Sequence, residues 1–415
     1  MLFFKKIKAG ALQYVLVISV IIAFILFAFI SLIYLQQQLQ IKNTFYKEAI
    51  ENVQSAFNSI DHSIDSKSLE KKYSENRHEK TTFSKEHWGI FDIVSISSVV
   101  KNESFQKIGL IGYQDNERDA LYLKENNTPL VLVGNTTIKG NVSLPKKGTK
   151  RGNIAGISYY GNQLINGLQK KSKTSLPPIK NINYIKSLFN RSYMNNSIEN
   201  FELEENLKLT QSFNKPTIVH YTEENINLSN IELQGNIIIH SKNTITIDKT
   251  AILKDIILIA SSIKILKNTT GNFQAFAQNN IIVEENCTMN YPTALILQQQ
   301  GKTDEKKLIN IGKNATIKGA LVYYNDFNKK DINFNPQVYI SENSTIIGEL
   351  YCNQNLELLG NVHGTVCTNN FITKQYGSVY INHLYNGIIN SYKLPKQYCG
   401  LFIGDKSLKV AKWLY

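Results

Sequence analysis

The chain has 415 residues, 42% of them hydrophobic, which is enough to build a core across two or three domains and excludes a disordered protein. Lys and Arg number 46 against 33 Asp and Glu, a net charge of +13. The basic residues are scattered and few are Arg, which argues against a nucleic-acid reader and leaves a generic basic surface suited to anionic lipid or polysaccharide.

Residues 11–35 are apolar apart from Gln13, Tyr14, Ser19, Ser31 and Tyr34. As a helix rising about 1.5 Å per residue, the segment crosses the roughly 30 Å hydrocarbon layer without burying a charge. A cleaved secretory signal has an apolar core of about 7–15 residues and a small-x-small cleavage site. Neither is present, so an uncleaved transmembrane anchor is expected. Lys5, Lys6 and Lys8 precede the span, whereas Lys42 and Lys47 on the far side are mixed with Glu48 and Glu51. The positive-inside bias puts residues 1–10 in the cytoplasm and the bulk of the chain in the periplasm or outside the cell. Leu39, Phe45, Ala49, Val53, Phe57 and Ile60 then recur mostly four apart, which predicts an amphipathic stalk helix over 36–60. With no Gly or Pro between residues 11 and 60, span and stalk read as one rod.

A short basic leader ending in Gly10, followed by Ala11 and Leu12 opening an apolar helix that turns amphipathic, resembles the N-terminus of type IV pilin-like proteins, especially minor pseudopilins. The resemblance covers only the N-terminal rod. It implies a leader-peptidase cut between Gly10 and Ala11, and partners in a pilus-like envelope assembly. Where most major pilins carry glutamate at the fifth mature position this chain has Val15, and some tip-located minor members also lack that glutamate.

Residues 61–86 read as a polar spacer and 87–128 as a β-rich lead-in with strands at 89–96, 108–113 and 121–123. Beyond these, short Ile-rich strands recur with a fixed period. One series is Ile245, Ile263 and Ile281; a second is Ile238, Ile257, Ala275 and Leu295. Polar loops at 298–307 and 325–336 lengthen later steps. The corner motif Asn135-Thr136-Thr137-Ile138-Lys139-Gly140 repeats at Asn314 to Gly319 and Asn343 to Gly348, with Asn and Gly supplying left-handed backbone. The fold expected is mainly β, a right-handed parallel β-solenoid with three strands per coil, carried on the N-terminal transmembrane and stalk helix. Its first coil is 129–143, followed by an insertion at 144–216 with a helix over 182–193, the main solenoid at 217–385 and a C-terminal cap at 386–415. The repeat is similar to polymer-forming, bactofilin-like β-solenoids.

No catalytic constellation emerges. Asp248, Asp255, Glu284 and Glu285, with Lys254 and Lys264, fall at corners and strand ends, and His363 and His383 lie about one coil apart. Cys352 and Cys367 are the pair expected to form a disulfide, with four partly buried free thiols as the alternative; Cys287 and Cys399 complete the set. Asn-x-Ser/Thr triplets, such as those at Asn126 and Asn227, reflect the Asn-rich composition. No metal or cofactor site is expected. The expected partners are the bilayer, envelope or pilus-like assembly proteins and polysaccharide, without nucleic acid. The expected role is structural or adhesive, and the rival is a polysaccharide-binding or polysaccharide-cleaving β-helix protein.

Overall fold

The computed structural model describes residues 9–60, 79–115, 117–190, 199–300, 307–326, 334–401, 403 and 407–414. Two units make up the chain, residues 1–84 with 95–107 and residues 85–94 with 108–415.

In the first unit a single helix, Ala9–Asn58, runs through both the apolar and the amphipathic stretches. Its first half buries nothing. Leu12, Ile18, Phe24 and Leu35 stay more than half exposed, and the helix holds a window of mean hydropathy 3.2, long and apolar enough to cross a membrane. Its second half buries Ala49, Val53, Ala56 and Phe57, and Ile96 and Val100 of the same unit are buried on the strands. Asn52 Nδ2 donates to Ser98 Oγ at 3.4 Å, and the Tyr46 ring meets Phe105 edge-on at 5.9 Å. The strands carrying these contacts are neighbours in one sheet, linked by Thr81 to Ser98 at 3.3 Å and Gln106 to Ser95 at 2.8 Å. The four-residue stripe is therefore a packing face from Ala49 onward, while Leu39 stays in the exposed half. The strand Glu79–Trp88 begins inside the segment expected as spacer, and residues 61–78 lie outside the described residues.

The second unit is a stack of coils with three strand positions, named A, B and C in chain order. Position A includes Ile218–Thr222 and Ile237–Ser241; position B includes Ile226–Leu228 and Thr244–Ile247; position C includes Lys208–Gln211 and Glu232–Gly235. Later strands such as Thr345–Leu358 run through C, A and B in succession. Every ladder between coils in this series is parallel. The B column aligns as expected, Ile245 with Ile263, Ile263 with Ile281, then Ile309, Val338 and Leu356. In the A column Ile238 aligns with Ile257 and Ala275 with Leu295, but Ala275 faces Leu258 rather than Ile257.

The order of the coils departs from the order of the chain. Residues 129–143 do not begin the stack that continues at 217. Instead Leu121–Leu123 takes position A against the late strand Asn361–Gln375, with Val366 aligned to Leu121. Leu130–Val133 follows at B against His383–Tyr385, and Thr137–Lys139 at C against Ile388–Asn390. The path goes on through Val142–Leu144, Thr149–Arg151 and Gln169–Lys171. The coil path thus runs to Asn390, passes without a covalent link to Ala120, and ends at Lys171. Part of the segment expected as an insertion, 144–216, therefore builds both ends of the stack, and the cap begins after Asn390. The helix in that segment is Ile182–Leu188, and residues 191–198 are outside the description.

In the inner coils, from Ile237–Ser241 onward, position A strands are buried on both sides, which is why they read as unbroken apolar runs. Ile237 and Ile239 point into the coil core, and Ile238 joins an outer layer with Trp88, Phe91, Leu110, Ile185 and Leu188. Each fully buried aliphatic side chain contributes about 1.5–3 kcal/mol, so a column shared across the junction couples the coils on either side. Leu121→Asp should consequently raise amide exchange in residues 361–368 as well as in its own coil. Protection retained at 361–368, read by hydrogen-exchange mass spectrometry, would show that the two segments fold independently.

Candidate functional groove

A groove of about 780 Å³ opens on the outer side of the A strands, lined by Trp88, Tyr184, Phe213, Lys85, His87 and Lys215 among others. The turn at Gly89 positions it. Gly89 has φ +64°, a left-handed conformation that suits glycine, and it closes a two-residue connection between Glu79–Trp88 and Phe91–Val100. Gln274, on the outer A face, clamps that turn by donating to the Trp88 carbonyl at 3.0 Å and accepting from Ile90 N at 2.8 Å. The Trp88 ring packs edge-on against Phe213 at 5.5 Å.

The same turn sets His87 opposite Asp92. Asp92 is 3% exposed, and its two oxygens meet His87 Nδ1 at 2.5 Å and Lys85 Nζ at 3.0 Å. The His87 ring lies 4.6 Å from the Tyr184 ring, whose hydroxyl donates to the His87 carbonyl at 3.0 Å. Burial, the largest cause, pushes the Tyr184 hydroxyl up to about 12, so it is a neutral donor. A histidine oriented by a carboxylate is the arrangement that prepares a general base. Here, however, the Thr217 hydroxyl donates to Asn236 and the Tyr184 hydroxyl to backbone, so both act in holding the wall. The groove offers an aromatic wall with a charged rim of Lys85, Glu86 and Lys215, which is ligand-binding chemistry.

No family model, curated protein or solved structure matches this chain.

The residues singled out from sequence are dispersed. Gly10 and Ala11 lie in the first turn of the exposed helix half, with nothing within 4 Å of where a Gly10 side chain would start. His363 sits at position C and His383 at position B, so they do not share a face. Asp255 binds Lys412 at 2.6 Å, Asp248 holds the Thr250 amide and hydroxyl, and Glu284 pairs with Lys264 at 3.0 Å. Glu284 and Glu285 do share a cleft of about 430 Å³ with Lys267 and Lys313. The Lys264 hydrogen bond holds the Glu284 carboxyl below its ordinary range, opposite to what a proton donor for glycoside cleavage needs. Among the described residues no three His, Cys, Asp or Glu gather as metal ligands.

All four cysteines are free and buried, and the Cys352–Cys367 disulfide is not formed. The alternation of a strand explains it. Cys352 points into the coil core and Cys367 into the outer layer, on opposite sides of one sheet. Burial pushes Cys352 up to about 12 and Cys399 up to about 11. Because the folded thiols ionise above the unfolded ones, the stability they contribute is present below the unfolded thiol range and lost as pH rises toward 11 to 12. Unfolding midpoints should fall over that window. Native protein at pH 8 should resist iodoacetamide, and rapid labelling of Cys352 there would contradict the burial.

Proposed function

We propose that this chain is a membrane-anchored envelope protein in which a pilin-like helix and sheet join an assembly, and the coil stack is the displayed structural or adhesive part. The helix Ala9–Asn58 carries the reading, since its first half is wholly exposed and apolar and its second half is packed in its own unit. An apolar helix face of that length needs a bilayer or other helices around it. Lys5, Lys6 and Lys8 orient the anchor with its N-terminus in the cytoplasm and the coils outside. The coils are taken as right-handed, the hand preferred for parallel strands joined by crossovers.

Two measurements test this. Mass spectrometry of the native N-terminus should find Ala11, and an intact Met1 start removes the pilin-like component. Photo-crosslinker incorporated at Val15 or Ile18 in intact cells should capture other helices, and lipid adducts alone reduce the segment to a plain anchor. The aromatic wall of the groove favours a second reading, polysaccharide binding or cleavage. Release of reducing ends from envelope glycan, lost in His87→Ala, would replace the first reading with that one.

A further inference from the structure

The positive charge is not evenly distributed along the chain. Residues 126–198 contain eleven Lys and Arg and no Asp or Glu. Scatter along the whole sequence hides this, and the coil order places those from Lys139 to Lys173 at one end of the stack. Lys146 and Lys147 stand at the corner between Val142–Leu144 and Thr149–Arg151, and Lys173 follows Gln169–Lys171. Glu125 ties the corner together: its amide donates to the Lys173 carbonyl at 3.0 Å and its carboxylate accepts from Lys146 N at 2.7 Å. Lys150 and Arg151 continue the row along position B, both exposed. Among the described residues none of these five cations is held in an ion pair.

Beside the row lies a set of aromatic rings. Val131, Val133 and Ile154 form a small apolar cluster on the outer side of position B, with Tyr380 and Tyr385 packed on it. Val131 aligns with both His383 and Lys150, which joins cluster and cations in one surface. Tyr160 and Tyr376 stand at its margin, 62% and 65% exposed. Tyr376 hydrogen-bonds Tyr385, which anchors one of these exposed rings.

We propose that this corner and its tyrosine platform bind an acidic polysaccharide carrying carboxylates on its sugar rings. Lysines in a row are point charges matched to carboxylates spaced along a flexible polymer, whereas base recognition favours the planar arginine fork, of which this surface has one. Flat ring faces supply the apolar contact that the C–H face of a pyranose needs. Row and platform together ask for charge and ring in the same ligand.

The full chain in detergent should retard polygalacturonate in affinity electrophoresis and leave neutral dextran unaffected. Lys146→Glu with Lys147→Glu and Lys150→Glu should weaken the binding at least about tenfold. Tyr160→Ala with Tyr376→Ala should weaken polygalacturonate by about tenfold and leave dextran sulfate, a charge-only probe, unchanged. These two rings are mostly exposed, so their loss does not test folding. The proposal is overturned by no retardation in the unmodified chain, by unchanged affinity in the tyrosine variant, or by equal affinity for a single-stranded DNA oligomer. The surface lies within the second unit, so its failure leaves the assembly reading of the helix untouched.

Discussion

Gly348→Ala is expected to destabilise the coil stack severely. Gly319, Gly348 and Gly364 have φ of +145°, +149° and +153°, and they align in successive coils at the corner between positions C and A. A Cβ on Gly348 would overlap the Gly319 carbonyl oxygen, and one on Gly364 would overlap that of Gly348. Those are backbone atoms locked in a parallel ladder, so nothing nearby can move aside. Backbone strain and overlap together should cost more than about 4 kcal/mol. Gly148→Ala provides the contrast. It also has positive φ, +63°, but open space around it, and should cost only about 1 kcal/mol. Denaturant midpoints of the two variants decide the matter, and equal losses would mean that strain alone governs both. The column continues beyond the passage from Asn390 to Ala120, at Gly140 and Gly167, where a Cβ on Gly167 would overlap the Gly140 carbonyl.

Arg118→Ala is expected to cost about 3–5 kcal/mol by stranding a buried charge. Arg118 and Glu349 side chains are 7% and 11% exposed, with Nη1 and Oε1 3.8 Å apart. The guanidinium also donates to the Tyr398 carbonyl at 2.5 Å and the Asp115 carbonyl at 2.9 Å, and lies 4.7 Å over the Tyr398 ring. Glu349 in turn accepts from Leu401 N at 2.7 Å. This network fastens residues 395–401 to the outer side of the A strands. Loss of arginine should therefore free that segment to protease before global unfolding. Adding Glu349→Gln should restore part of the stability, since the stranded anion is removed. If the double variant is no better than the single one, the arginine acts through its carbonyl contacts and ring stacking instead. Arg118→Lys should recover only part of the loss, because an ammonium cannot serve both carbonyls and also stack on the Tyr398 ring.

Much of the coil geometry is legible in sequence because it is local. Ile245, Ile263 and Ile281 lie eighteen residues apart and align directly. Asn314 and Asn343 of the corner motif take positive φ, as the pattern requires, while the first copy shifts that role to Gly134. The order of stacking is not local. Each coil offers its neighbour the same kind of edge, and nothing in Leu121–Leu123 states that its partner is Val366. The strands Thr149–Arg151 and Gln169–Lys171 carry no apolar pattern because their polar side chains face solvent at the end of the stack. At the groove, a readable clue exists: Gly89 in a two-residue connection sets His87 and Asp92 opposite each other. The wall facing them, Tyr184 and Phe213, comes from distant segments that no spacing rule connects.

The passage from Asn390 to Ala120 also governs when the protein can be complete. Asn126 hydrogen-bonds Asn370 across it, 244 residues further along the chain. At about 5–20 residues per second of synthesis, the early coils emerge roughly 12–50 s before the surface they close upon exists. During that interval the edge of Leu121–Leu123 that pairs with Val366 and the edge of Leu130–Val133 that pairs with His383 stand open. The chain must therefore hold its earliest coils in waiting, and the last coil strands made, 361–390, are the ones that admit them.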